Sequence, residues 1–178
     1  MAFVVLTVCV GNVCRSPMAE RMLALHLTSA AGDFEVHSAG TRALQGTGMH
    51  PQSRADLEAA GGTGDGFVAR QLNDPMIRDA DLVLTATTDV RARVLEDVPG
   101  ALRRTFTILD FAALVDSAPR LLPASDLVRD ASDRRSTLRD VEHDVPDPIN
   151  QGPEIFAMVS DQLLRATRTI AAGLTASR

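Results

Sequence analysis

The sequence predicts an α/β fold, a three-layer sandwich in which helices cover both faces of a central, mainly parallel four-stranded sheet. Three observations support this prediction. Short apolar runs alternate with helical patterns along the chain, the first run is rich in β-branched residues, and the last segment carries an apolar stripe at helical spacing. With 178 residues and 45% hydrophobic content, residues 1–178 are expected to form one domain.

The first elements follow from apolar runs and turn residues. Phe3 to Val8 has the composition of a strand buried on both faces of a parallel sheet. A helix is predicted to begin at Ser16, which would cap it, and to end before Gly32. Phe34 to Ser38 is predicted to be the second strand.

The rest of the chain continues the alternation of strands and helices. The predicted elements are a helix from Pro51 to the Gly61-Gly62 pair, a strand over Asp81 to Thr85, a helix over Asp89 to Glu96, a strand over Arg104 to Leu109, a charge-rich and mobile or partly helical excursion over Ser125 to His143, and a helix opened by Pro153 whose apolar stripe is Ile155, Val159, Leu163, Ala166 and Ile170. In such a sheet, ligands bind at the carboxyl ends of the strands.

Composition excludes several classes of function. The formal charge of −5 gives no overall electrostatic argument for a nucleic-acid or membrane partner. No apolar run approaches the roughly 20 residues that span a bilayer, and the amino terminus lacks the basic region of a signal peptide. Two cysteines in one loop do not indicate a disulfide scaffold, which predicts a reducing, cytoplasmic location. The four histidines are scattered, so neither a metal nor another cofactor is expected.

The loop between the first strand and the first helix has the features of a phosphate site. A tight loop entering a helix offers backbone N–H groups and the positive end of the helix dipole to a dianion. Gly11 permits the turn, and the planar guanidinium of Arg15 binds two phosphate oxygens at once. The same positive field favours the thiolate of Cys9, which makes it the predicted nucleophile. The predicted phosphate-binding residues are Val10, Gly11, Asn12, Val13, Cys14, Arg15 and Ser16.

Two roles stay open for Cys14. It packs at the end of the loop, or it is a resolving thiol that traps oxidised Cys9 in a reversible disulfide.

The segment CVGNVCRSPMAE, residues 9–20, resembles the phosphate-binding loop and first helix of the low-molecular-weight protein tyrosine phosphatases. The similarity continues through residues 38–41, 68–72, 80–84 and 147–148. The resemblance implies a phosphomonoester hydrolase that works through a phosphocysteine intermediate. It also implies that Asn12, Ser16 and Ser38 hold the loop through side-chain hydrogen bonds.

An acid is also required, because an alkoxide or phenoxide leaves slowly unless it is protonated. The Asp147-Pro148 pair resembles the family's Asp-Pro loop, which implies that Asp147 protonates the leaving group and then activates water. Asp144 and Asp140 are nearby competitors, but neither precedes a proline.

The sequence departs from the family's pattern in two places. Phe67 stands where many members have a histidine behind the loop, which implies an altered supporting network. Ile149 replaces an aromatic wall residue, and the second wall region offers Leu44, Met49 and His50. The substrate slot is therefore expected to be broader and less selective for phosphotyrosine.

Two alternative functions remain from the sequence. One is a small-thiol-dependent arsenate reductase, and the other is a phosphate-binding regulatory module with weak or no activity. The substrate, whether a phosphotyrosyl protein, a phosphoarginyl protein or a small phosphomonoester, and the oligomeric state are left open.

Overall fold

A computed structural model describes residues 1–30, 32–119, 121–139 and 142–176, and its sheet lies at the centre of the fold. The four strands are β1 (Phe3–Cys9), β2 (Phe34–Gly40), β3 (Leu82–Thr85) and β4 (Thr105–Thr107), in the spatial order β2-β1-β3-β4. Every pairing between neighbours is parallel. The register places Cys9 beside Gly40, so β1 ends next to the turn that follows β2.

Seven α-helices connect or follow the strands within the described residues. They are α1 (Arg15–His26), α2 (Pro51–Ala59), α3 (Asp74–Asp79), α4 (Thr88–Asp97), α5 (Ile108–Asp116), α6 (Ala124–Asp133) and α7 (Pro153–Thr175), with short 3₁₀ turns at Thr28–Ala30, Pro99–Arg104 and Arg135–Thr137. In the part of the chain that the structure describes, no helix is both long and apolar enough to cross a membrane.

The sheet separates two apolar clusters, as alternation along β1 requires. Val5 belongs to the larger cluster, with residues of α1, α2, α5, α6 and α7, whereas Leu6 and Val8 belong to the smaller one, with residues of α3 and α4. Within the larger cluster α1 packs against α7. The predicted three-layer sandwich with a parallel four-stranded sheet is therefore confirmed.

Several predicted boundaries are wrong. The strand predicted over Arg104 to Leu109 ends at Thr107, whose hydroxyl accepts a hydrogen bond from the N–H of Asp110 and caps α5. Helix α1 begins at Arg15 with Cys14 in the cap position, so Ser16 does not cap it.

Helices α3 and α6 are the last two elements to compare with the prediction. Helix α3 was not predicted; it begins after Asn73, which accepts from the N–H of Met76. The excursion predicted over Ser125 to His143 is largely helical, because α6 and the last 3₁₀ turn occupy most of it. Asp140 lies outside the described residues.

Candidate active site

The backbone of the loop after β1 has its carbonyl groups turned away from its centre. Three loop carbonyls accept hydrogen bonds from backbone N–H groups of residues 42–50, at 2.8 to 3.0 Å: Val10 from Arg42, Gly11 from Leu44, and Val13 from His50. Because a trans peptide places its C=O and N–H on opposite sides, the N–H groups of Gly11, Asn12 and Cys14 point the other way. The loop therefore forms a cradle of donors, of the kind that binds anions.

Cys9 lies at the bottom of this cradle. Its Sγ accepts a hydrogen bond from the backbone N–H of Asn12 at 3.3 Å and lies 2.9 Å from Oγ of Ser16. Asn12 takes a left-handed conformation, with φ of 54°, which asparagine tolerates. A thiolate at this position would be stabilised by both donors.

The side chains of Asn12, Ser16 and Ser38, to which the resemblance gives the support of the loop, form one buried network. Nδ2 of Asn12 donates to Oγ of Ser16 and to Oγ of Ser38, both at 2.9 Å. Its Oδ1 accepts from the backbone N–H of Arg70 at 2.9 Å, which fixes the orientation of the amide. Sequence reasoning missed the last member, Glu20, whose Oε2 accepts from the Ser38 hydroxyl at 2.5 Å.

Arg15 and Asp147 are brought together although they are far apart in the chain. Nη2 of Arg15 donates to Oδ2 of Asp147 at 2.8 Å, and Nη1 donates to the carbonyl of Val145 at 3.1 Å. The Arg15 side chain is 5% exposed and that of Asp147 is 50% exposed. Nε of Arg15 is buried without a hydrogen-bond partner among the described residues. That N–H is therefore available to a ligand in the cradle.

The loop that carries Asp147 is anchored to the carboxyl end of β3. The N–H of Val145 donates to the carbonyl of Ala86 at 2.8 Å. The carboxylate of Asp144 accepts from the N–H of Thr88 at 2.7 Å, at the start of α4, so this competitor for the acid role is already engaged. Oδ1 of Asp147 accepts from the N–H of Ile149 at 3.2 Å, which stiffens the turn.

Cys14 is buried on the helix side of the loop. Burial is the main cause that raises the pKa of its thiol from 9.0 to about 11, and the neighbouring Cys9 and Asp147 act in the same direction, whereas Ser53 and Arg15 oppose the rise. Cys14 is thus a neutral thiol at physiological pH.

The residues proposed as slot walls fall into two groups. Leu44 is 54% exposed and Ile149 is partly buried, so both remain candidates for an aliphatic wall. Met49 is buried in the larger apolar cluster. His50 stacks on Phe156 with ring centroids 4.7 Å apart and accepts from the N–H of Gln52, so its ring is held by the fold. Two of the four predicted wall residues are therefore structural.

Phe67 is buried in the larger apolar cluster, and the guanidinium of Arg21 lies 5.9 Å from its ring centroid. The ring offers no hydrogen bond to the loop network. Glu20 and the backbone of Arg70 support Ser38 and Asn12 instead.

Comparison with known proteins gives a consistent result. The family model described as low molecular weight phosphotyrosine protein phosphatase matches residues 4–124. The low molecular weight protein-tyrosine-phosphatase Wzb of Salmonella typhi is 31% identical over 174 residues, which cover 98% of this chain and 95% of that protein.

Solved structures show the same fold. The tyrosine phosphatase Wzb from Escherichia coli K30, in complex with sulphate, has a TM-score of 0.74 at 24% identity, covering 98% of this chain and 99% of that one. The YwlE arginine phosphatase from Geobacillus stearothermophilus has a TM-score of 0.74 at 24% identity, covering 98% and 94%.

Proposed function

Because this chain belongs to the low molecular weight phosphotyrosine protein phosphatase family, we propose that it hydrolyses phosphomonoesters, phosphotyrosyl proteins in particular, through a phosphocysteine at Cys9. The observation that carries this proposal is the position of the Cys9 sulfur. It lies 3.3 Å from the backbone nitrogen of Asn12 and 2.9 Å from the Ser16 hydroxyl, in a loop that also contains Arg15.

Substrate binding exchanges one anion for another at Arg15. The phosphate dianion enters the cradle, where its oxygens accept hydrogen bonds from the loop N–H groups and from the free Nε–H of Arg15. It also accepts a hydrogen bond from Nη2 of Arg15, which donates to the Asp147 carboxylate in the phosphate-free site. Asp147 is thereby released toward the ester oxygen.

The first chemical step transfers the phosphoryl group to sulfur. The Cys9 thiolate attacks phosphorus, an S–P bond forms, and the bond from phosphorus to the ester oxygen breaks. Asp147, which has taken up a proton from solvent after leaving Arg15, gives that proton to the departing oxygen and becomes a carboxylate again. Arg15 and the loop N–H groups stabilise the equatorial oxygens as the phosphoryl group moves.

The second step restores the enzyme. The Asp147 carboxylate takes a proton from water, and the water oxygen attacks phosphorus. The S–P bond breaks, its electron pair returns to sulfur as the thiolate, and inorganic phosphate leaves. The Ser16 hydroxyl donates to the returning thiolate, which makes sulfur a better leaving group.

The side chains that could form the walls of the substrate slot favour an apolar leaving group but do not select a particular aromatic ring. Leu44 and Ile149 are aliphatic, so they pack against a phenyl ring by burial and supply no aromatic stacking, which elsewhere adds about 1 kcal/mol. A phosphotyrosyl protein is the substrate we favour, and a phosphoarginyl protein and a small phosphomonoester are the comparisons to run against it.

The redox role of Cys14 remains a second proposal. A resolving thiol must attack oxidised Cys9 as a thiolate, and burial raises the pKa of Cys14 to about 11. Burial therefore favours the packing role at neutral pH. A reducing cytoplasm, which we infer for this chain, would keep both thiols free.

The alternative functions are not favoured, because relatives that match the chain nearly end to end are named as phosphatases.

Hydrolysis of para-nitrophenyl phosphate distinguishes the phosphatase from the two alternative functions. We expect turnover that disappears in Cys9→Ser and falls roughly 10²- to 10⁴-fold for a phenyl ester in Asp147→Ala. Phosphate binding without turnover would establish the binding module, and arsenate-dependent thiol consumption would establish the reductase.

A further inference from the structure

A chain of side-chain hydrogen bonds leads from the Cys9 sulfur to a carboxylate on α1. Its links are Cys9 to Ser16, Ser16 to Asn12, Asn12 to Ser38, and Ser38 to Glu20, with donor–acceptor distances between 2.5 and 2.9 Å. The first four residues are almost completely buried, and the Glu20 side chain is 12% exposed. The chain reaches the edge of the core only at Glu20.

We propose that Glu20 is a positioning residue, whose carboxylate oxygen holds the Ser38 hydroxyl and thereby helps to keep the Asn12 amide in place to donate to Ser16, whose own hydroxyl donates to the Cys9 thiolate. The inference rests on the proposed role of Cys9 as nucleophile.

Direction follows from what each group is able to donate. An ionised carboxylate only accepts, so the Ser38 proton points to Glu20 and leaves the Ser38 oxygen as an acceptor. That oxygen takes one N–H of the Asn12 amide, and the other amide N–H goes to Ser16. The Ser16 oxygen already accepts from this amide, so its own proton points to another acceptor, and the sulfur at 2.9 Å is closer than the Ala39 carbonyl oxygen at 3.4 Å.

The surroundings keep Glu20 in this role. Its second oxygen lies 3.6 Å from Nε of Arg21, on the neighbouring residue of α1. Arg70 supports the same links from the other side, because its N–H donates to Oδ1 of Asn12 and its Nε donates to the Ser38 carbonyl at 2.7 Å. No histidine at position 67 competes for Ser38, since Phe67 is buried among apolar side chains.

Position and charge are separable with two variants. Glu20→Gln removes the charge and keeps a carbonyl oxygen at the same reach for the Ser38 proton. Glu20→Asp keeps the charge and withdraws the oxygen by one methylene, which breaks a contact now 2.5 Å long. If the position of the acceptor oxygen matters, Glu20→Asp should lose Cys9 reactivity and Glu20→Gln should keep it.

The measurement is the rate at which iodoacetamide alkylates Cys9 at about pH 6, which reports the thiolate fraction directly. We expect a fall of about three- to tenfold in Glu20→Asp and in Glu20→Ala, the worth of one hydrogen bond, and a rate at or above the unmodified protein's in Glu20→Gln. The acidic limb of kcat/KM should move in parallel. Cys14 stays silent in this assay because its pKa is about 11.

Two results would overturn the proposal. One is equal alkylation of the glutamine and alanine variants, which have the same charge and differ in the acceptor. The other is a Glu20→Ala effect that persists undiminished when Ser38 is already alanine, because Glu20 acts through that hydroxyl. Neither result depends on turnover, whereas activity retained in Cys9→Ser would refute the proposed function itself.

Discussion

Removing the Asp147 carboxylate is expected to tighten phosphate binding while it slows catalysis. In the phosphate-free site, Nη2 of Arg15 donates to Oδ2 of Asp147 at 2.8 Å. A phosphate dianion in the cradle needs that same N–H. Asp147→Ala takes away this competitor and its negative charge, so inorganic phosphate should bind more strongly.

The expected change in the Kd of phosphate follows from how far the ion pair between Arg15 and Asp147 is exposed to solvent. Asp147 is half exposed while Arg15 is 5% exposed, which puts the pair at about 1 kcal/mol, the upper end of the values for solvent-screened pairs. Because 1.4 kcal/mol is a factor of ten, the Kd of phosphate should fall about fivefold. Asp147→Asn should fall less, since its amide oxygen still accepts from Arg15.

Protection of Cys9 from iodoacetamide by increasing phosphate measures this Kd without requiring turnover. Asp144→Ala is the matched control, because its carboxylate lies in the same loop but accepts from Thr88 at the start of α4. Its phosphate Kd should stay within about twofold of the unmodified protein's, the ordinary range of a surface change. If Asp147→Ala bound phosphate equally or more weakly, the carboxylate would not be competing for Arg15.

Three further predictions concern the loop and its neighbours. In Gly40→Ala the added Cβ would lie 2.5 Å from the Val10 carbonyl oxygen, so we expect kcat/KM to fall about tenfold or more through distortion of the loop, whereas Gly48→Ala, which meets open space, should keep full activity. Arg15→Lys should weaken phosphate protection of Cys9 by more than tenfold, because an ammonium replaces a planar fork; near-normal protection would show that the fork is not used. The pKa of Cys14 is higher in the folded protein than its ordinary 9.0, so its stabilisation is present below about pH 9 and is lost as pH rises through about 11. In urea titrations, the free energy of unfolding should fall by ~2 kcal/mol across this interval and remain flatter in Cys14→Ala, in a chain that contains no lysine or tyrosine to titrate alongside it.

The loop and the central strand could be predicted because their physics is local. A β-branched run followed by a glycine-containing turn specifies β1 and the cradle within consecutive residues. The end of β4 could not be read from hydrophobicity, since the apolar run continues through Ile108 into α5. A better signal was present: Thr107 stands three residues before Asp110, the spacing of a helix cap.

The remaining site geometry consists of contacts between segments far apart in the chain, which could not be predicted from local sequence patterns. The contact between Arg15 and Asp147 depends on how the loop near the carboxyl terminus docks on Ala86 at the end of β3, which no local pattern encodes. The helix cap predicted at Ser16 is wrong, because α1 begins at Arg15, and the Ser16 hydroxyl lies 2.9 Å from the Cys9 sulfur, in the loop where the family resemblance places its supporting role. Glu20 carries no distinguishing local signal, because an exposed glutamate on a helix is the ordinary expectation.

The packing of α1 against α7 means that the helix after the cradle loop is buried by a segment that is synthesised much later. Asp147 is synthesised on the order of ten seconds after Cys9 at usual rates of synthesis. Until α7 has been made, Met22 and Leu23 of α1 lack part of the apolar surface that buries them. A nascent chain that lacks α7 therefore carries the loop of the proposed nucleophile Cys9 on a helix whose apolar face is not yet fully covered.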